Sequence, residues 1–509
     1  MASRLFALIT LLLLIVGVTS AQDGRAVLQA VAKNIGADSV RTIQITGTGF
    51  SAAPGQSFSP TDDWPRFEIT SYTKTIDYDA RSSRELITRR QGNNPPRGGG
   101  GTPLQGDQQQ ELLLSGTSAW NVQGGNPAAV GQYLAGIPVA ELRQLDILLT
   151  PHGFVKAALA QGANMTAVTW TPGGRRVTDV SFTALGKYRV TGTINDQNVI
   201  EFVQTRIPNP VFGDMLYETR YGPYKDFGSV KFPTVIHHHE GDDRLNPGHN
   251  TMEVRVSAVQ TNVAVPATPV PDVARAPIPA VRVESQKMAD GVWFVAGGSH
   301  NSLAVDFRDF AAVVEAPLNE ERSIAVINEV HRLIPNKPIR YVINTHHHFD
   351  HSGGLRTYVA EGALVVTHQA NREFYDKVLF SPWPRALQPD RLFSVNPDRI
   401  RDAVFETVNQ KYVVSDGART LEIHPVQGLG HASTMLVAYL PQSKILVNAD
   451  LYSPPVPGGP PATATPNMVT LNQNIQRLRL DVAQHAPIHG RVGTHDEFVK
   501  IVGARPATN

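Results

Sequence analysis

The run THHHFDHSGG, residues 345–354, places His346, His348, Asp350 and His351 within six residues of one another. Imidazole and carboxylate at this spacing are ligands for divalent transition metals. His346 and His348 can point the same way across an extended turn, and Asp350 and His351, past the bend, can serve a second ion. The run follows the apolar strand predicted over RYVIN and precedes a helix start at Gly354–Leu355, so its ligands emerge at the carboxyl end of a strand, where open α/β sheets place their sites. A solvated polar loop is the competing reading, but four histidines and an aspartate straight after an apolar strand are costly to place without something to neutralise them. The chain has 0 cysteines, so thiolate nucleophiles, disulfides and Cys-ligated metal sites are excluded, and His, Asp and Glu are left as the strong metal ligands.

The pattern His346, His348, Asp350 and His351, continued by Ser352, Gly353 and Gly354, resembles the HxHxDH signature of the metallo-beta-lactamase superfamily. The resemblance implies further ligands at later strand ends: His431 in PVQGLGHAST, Asp450 in KILVNADLY and His489 in HAPIHGRVG. On that reading His346, His348 and His431 hold one ion, Asp350, His351 and His489 hold the other, and Asp450 lies between them. Two zinc ions are the expected cofactors, although manganese or iron also accept such ligands. The implied chemistry is attack by a hydroxide shared between the ions, oriented by Asp350, on a carbonyl, phosphoryl or sulfuryl centre. Tyr452, His485 and His495 are candidates to protonate a leaving group, against an ordinary supporting role. His300 and Asn301, in GGSHNS, are candidates for substrate contact, and Glu315 stands where the family often has an aspartate beneath the site. The implied fold is an α/β four-layer αββα sandwich over residues 281–509.

The elements that position these residues follow from pattern. Segments such as GVWFVAG, NSLAVDF, FAAVVEAP and KILVNAD read as short buried strands, ERSIAVINEVHRLI as a helix ended by Pro335, and LNQNIQRLRLDVAQ as another helix. Residues 22–260 read as a β-rich antiparallel domain, with short helices near 139–149 and 151–160. Within it, residues 91–110, rich in Gly, Pro and Gln, read as a mobile surface loop, and HHHEGDD at 237–243 as a polar turn. The proline-rich stretch 261–280 reads as a semi-rigid linker. Residues 1–21, with Arg4 ahead of an apolar run of about 14 residues and small residues up to Ala21, read as a secretory signal, too short for a bilayer span. A periplasmic or secreted location without a stable membrane anchor is expected.

With 46 Lys+Arg against 45 Asp+Glu and no basic stripe, no nucleic-acid partner is expected, and the partner is a small-molecule substrate. The leading reading is an exported dinuclear hydrolase of an ester, thioester, lactone or related acyl bond. The alternatives are a phosphodiesterase or sulfatase, favoured if Arg356, Arg372 or Arg491 faces the metals, a beta-lactamase, an oxidoreductase with two irons, and a noncatalytic periplasmic carrier. The front domain can cover the cleft, bind an apolar group or mediate homo-oligomer formation.

Overall fold

The structure, a computed structural model, describes residues 18–503 except 20, 243, 245–247, 267, 381–383, 396–404 and 460–461. The expected export segment therefore lies almost entirely outside the described residues. Among the described residues, no helix is long and apolar enough to cross a membrane.

The first half of the chain builds a large antiparallel sheet, fourteen strands wide among the described residues, with two small two-stranded sheets beside it. Its middle is formed by Val235–Glu240, His249–Thr261, Thr42–Ala52, Arg66–Asp77 and Ser82–Arg90 in that spatial order. Three helices pack on the sheet. Val139–Leu148 and Pro151–Ala160 lie where expected, the second capped by the Thr150 hydroxyl, which accepts from Gly153 N–H. The third, Ala21–Ile35, lies at the start of the stretch read as β-rich, where no helix was expected. Its Leu28, Val31, Ala32 and Ile35 recur at helical spacing and are buried against Leu145, Phe154, Val180 and Val190.

The histidines of HHHEGDD are not in a turn. His237, His238 and His239 lie in the strand Val235–Glu240, paired on both sides. The alternation of a strand sends His238 to bond Thr219 Oγ1, while the His237 and His239 rings lie 4.6 Å apart. Beyond Thr261 a single helical turn, Asp272–Arg275, precedes the next strand, which opens at Glu284.

The second half is a four-layer αββα sandwich. One mixed sheet runs from Glu284–Ala289 through Val292–Ala296, Ser302–Asp306, Ala311–Val314, Ile339–Ile343 and Leu364–His368 to Phe405–Val408, antiparallel at first and parallel from Ala311–Val314 onward. The other runs from Tyr412–Ser415 through Thr420–Pro425, Leu436–Leu440, Ile445–Asn448 and Gln484–Pro487 to Gly493–Thr494. These strands are apolar on both faces because both are covered. Leu303, Val305, Ala312 and Val314 face the other sheet, meeting Ile423, Leu436 and Val447, whereas Ala304, Ala311 and Val313 face the helix Glu320–Leu333 through Val326, Ile327 and Val330. That helix is capped by Asn319, whose side chain accepts from Arg322 N–H. On the far side, Pro466–Leu478 and His495–Gly503 cover the second sheet with Leu471, Ile475 and Phe498.

The two halves are joined by more than a linker. Phe349, at the metal-ligand turn, packs edge-on against Trp64 and Phe212 of front-domain loops, at 5.9 and 4.9 Å. Arg385 donates to the carbonyls of Pro210 and Val211, and the Asp214 carboxylate accepts from the N–H groups of Ala386 and Leu387.

Candidate metal centre

Five loops from strand carboxyl ends converge at one edge of the sandwich. The strand Ile339–Ile343 delivers His346, His348, Asp350 and His351; Thr420–Pro425 leads to His431; Ile445–Asn448 leads to Asp450; Gln484–Pro487 leads to His489; and Val292–Ala296 leads to His300. Asp450 has φ +58°, a left-handed backbone unusual for a residue other than glycine, asparagine or aspartate, which turns its carboxylate toward the histidines.

The ligand atoms fall into two groups. His346, His348 and His431 offer ring nitrogens within 4.8 Å of one another, and so do the ligand atoms of His300, Asp350, His351 and His489. Asp450 Oδ2 stands between them, 3.0 Å from His351 Nε2, 3.5 Å from His346 Nε2 and 3.6 Å from His431 Nε2, while Oδ1 is 3.2 Å from His489 Nε2. Four buried atoms here, His346 Nε2, His348 Nδ1, His431 Nε2 and Asp450 Oδ2, have no hydrogen-bond partner among the described residues. Orphaned buried polar atoms are rare, and four aimed at one another are what a cation site requires. The donor set, nitrogen and carboxylate oxygen only, fits zinc.

The other ring nitrogens explain why these face inward. His351 Nδ1–H donates to Glu315 Oε2 at 3.0 Å, His489 Nδ1–H to the Ser299 carbonyl at 2.8 Å, and His348 Nε2–H to the Ser57 carbonyl at 2.8 Å. His346 Nδ1–H donates to Thr345 Oγ1, whose hydroxyl donates on to Glu315. Each bond fixes a tautomer and leaves the opposite nitrogen with a lone pair for a metal. Glu315, in place of the family's usual aspartate, is fully buried and reaches both His351 and Thr345, so the longer side chain fills the supporting role.

Electrostatics follow this division. Burial, then neighbouring imidazoles, hold His346 and His348 well below the usual histidine range, and burial likewise lowers His431 and His300. Burial also opposes charge on His351, but the carboxylates of Asp450 and Asp350 outweigh it and raise that group well above its ordinary value. Asp350 and Asp450 are held low against burial, chiefly by His351. The two carboxylates thus favour positive charge at the centre of the cluster.

A family model described as the metallo-beta-lactamase superfamily matches residues 295–460. The chain carries a metallo-beta-lactamase superfamily domain. No curated protein sequence matches the chain. Among solved structures it is similar to a metallo-beta-lactamase from Pontibacter korlensis, at 19% identity over 44% of this chain and 98% of that one, TM-score 0.32. It is also similar to FIM-1 from Pseudomonas aeruginosa in a mono-zinc form, at 21% identity over 44% and 96%, TM-score 0.33. A flavodiiron protein from Giardia intestinalis is similar at 16% identity over 43% and 58%, TM-score 0.32.

Within the superfamily domain, not every expected residue reaches the cleft. Tyr452 and His485 are 1% and 0% exposed. They pack on each other and on Phe498 beneath the second sheet, with His485 Nε2 bonded to His495 Nδ1, so proton transfer to a leaving group is not open to them. The reason is local: Tyr452 N–H donates to Asn448 Oδ1, which curls the chain after Asp450 back into the core. Asn301 is corrected as well. Its amide donates to the carbonyls of Pro487 and Gly490, tying down the His489 loop rather than facing substrate. His300 lies in the second ligand group, its Nε2 3.3 Å from Asp350 Oδ2. Arg356, Arg372 and Arg491 are engaged by Asp390, Asp376 and Glu497, away from the cleft.

The front domain supplies what the motif does not contain. The cleft over the ligands, about 650 Å³, is lined by Asp350, His431, Asp450, Ser453 and His489 on one side and by Ala52, Pro54, Gln56, Arg89, Gly100 and Gly101 on the other. Gln56 Nε2 donates to Asp350 Oδ1 at 2.8 Å, and Gln56 Oε1 accepts from Gly100 N–H at 3.1 Å. Gly98 N–H donates to the Gly430 carbonyl, next to His431. The glycine run expected to be a mobile surface loop is thus a strap over the site. A Cβ at Gly99 would stand 2.0 Å from Gln56 Oε1 and 2.9 Å from His348 Cε1. The run of four glycines was the only sequence signal for this contact.

Proposed function

We propose that the chain is an exported, dinuclear metal-dependent hydrolase that cleaves an ester, thioester, lactone or related acyl bond of a small molecule. The observation that carries this reading is the convergence of His346 Nε2, His348 Nδ1, His431 Nε2 and Asp450 Oδ2, all buried and without a hydrogen bond among the described residues, beside a second group made by Asp350, His351, His489 and His300. Two zinc ions held there would supply a water that ionises near neutral pH and would polarise the oxygen of the bond to be cleaved. The residues do the rest. Gln56 Nε2 holds Asp350 Oδ1 and His300 Nε2 lies 3.3 Å from Oδ2, so the carboxylate that would help hold the second ion is fixed in orientation, and the front-domain strap lines the cleft opposite the ligands.

Hydrolysis of a phosphodiester or sulfate ester is the second reading, favoured by Arg89, a cation lining the cleft from the front domain. The deciding experiment is turnover of matched ester, thioester, lactone, β-lactam, phosphodiester and sulfate substrates before and after chelation. Chelator-sensitive turnover of an acyl substrate is expected. Turnover that survives complete metal removal contradicts the reading.

A further inference from the structure

Strand Ser82–Arg90 carries three arginines, and they are treated differently. Arg84 and Arg90 point outward and each pairs with a glutamate, Glu111 at 2.8 Å and Glu68 at 2.7 Å. Arg89, on the opposite face, lines the metal cleft. Among the described residues its guanidinium makes no hydrogen bond or ion pair, and its Nε is buried and unpartnered. The acids that line the cleft with it offer no neutralisation. Asp350 is engaged by Gln56 and His300, and Asp450 by His351 and His489, with neither within ion-pair distance of Arg89.

An unpaired, half-buried cation costs stability, so its retention beside a site calls for a partner that arrives with the ligand. The guanidinium is also held in place. Its Cζ lies 4.9 Å from the centroid of the buried Phe67 ring, a stack that fixes the plane of the fork while the terminal nitrogens stay available. A planar fork in this setting suits bidentate recognition of a carboxylate or another planar or tetrahedral anion.

We infer that Arg89 is a specificity residue of the metal cleft, contributed by the front domain, which binds an anionic group of the substrate remote from the bond that is cleaved. The inference rests on the hydrolase reading above and narrows its substrate class to acyl compounds that carry a carboxylate or equivalent anion. It also gives the front domain a role, that of bringing a cation to a superfamily-domain site whose own arginines are engaged elsewhere. Among the described residues that line the cleft, Arg89 is the cation on the side opposite the metal ligands.

The experiment compares the full-length zinc-loaded protein with R89Q and R89K, using mono-p-nitrophenyl succinate and the corresponding methyl-capped neutral ester. The ratio of kcat/KM for the anionic over the neutral ester falls about tenfold or more in R89Q, chiefly through KM, and is partly kept in R89K. Succinate binding to the metal-free protein, followed by calorimetry, weakens by a similar factor in R89Q. Circular dichroism and thermal unfolding establish that both variants fold; if R89Q does not, R89K against wild type carries the comparison. An unchanged selectivity ratio together with unchanged succinate binding overturns the inference. So does Arg89-dependent turnover confined to phosphodiesters or sulfate esters, since the anion would then be the reacting group. Failure of the hydrolase reading is distinguishable: no ester is cleaved by any form, while succinate binding still responds to Arg89.

Discussion

Replacing Glu315 by alanine tests whether the site depends on how its histidines are held. Glu315 accepts from the Thr345 hydroxyl, from His351 Nδ1–H and, at 3.4 Å, from Thr345 N–H, all in a region without solvent. Removing the carboxylate leaves two well-made donors and one weak one buried and unpaired. At ~1–3 kcal/mol for each strong donor, the expected loss of stability is about 2–6 kcal/mol. The His351 ring also loses the bond that fixes its tautomer, and its neighbour His346 loses the relay through Thr345. Losing such a support weakens metal binding by about 10–100-fold. Zinc affinity measured by chelator competition, alongside thermal unfolding, reads both effects. Glu315→Asp, which keeps the charge but shortens the reach, falls between wild type and alanine. A Glu315→Ala protein whose zinc affinity stays within about twofold of wild type refutes the reasoning, and a drop in stability alone would assign Glu315 to the fold rather than to ligand orientation.

Gly99→Ala pushes Gln56 off Asp350 and presses on His348, so kcat/KM falls by about tenfold with the fold retained; steady-state kinetics beside a thermal melt check this, and unaltered kinetics would contradict the strap's contact. Glu240 gives a pH signature in the front domain. Burial raises its carboxyl from 4.5 to about 8, so between those values the unfolded chain ionises while the folded one keeps its proton. This contribution is complete below about pH 4.5, declines as pH rises and is gone above about 8, a loss on the order of 5 kcal/mol. Glu240→Gln flattens that slope, which denaturant unfolding at pH 5 and pH 8 would reveal, and equal slopes in both proteins would refute the assignment.

How much of this was legible in the residues differs between the two halves. The motif His346–His351 is local, so its spacing alone brings four ligands to one strand end, and the sandwich strands are recognisable because both their faces are apolar. His431, Asp450 and His489 needed a resemblance, because nothing in their own neighbourhoods marks them as partners of residues some 80 to 140 positions earlier. Tyr452 and His485 were misplaced because proximity in sequence to Asp450 and His489 does not say which way the chain turns next, and here a hydrogen bond to Asn448 turns it inward. Of the front-domain contacts, only the run of four glycines left a trace in the sequence. Gln56, Ser57 and Arg89 acquire roles only through docking onto the second domain, and a glycine-rich stretch reads as mobile until something is found pressed beneath it. The strand holding His237–His239 was hidden by its polar composition, since a sheet of this width sets structure by pairing on both sides.

Metal content tests the account most directly. Elemental analysis of the full-length protein after equilibration with zinc and exhaustive dialysis should give about two ions per chain, and the double variant His348→Ala/Asp450→Ala, which removes one ligand of the first group and the carboxylate between the groups, should lose zinc and hydrolysis together. A variant that folds, keeps its zinc and turns over substrate as the wild type does would contradict the placement of the site at these residues.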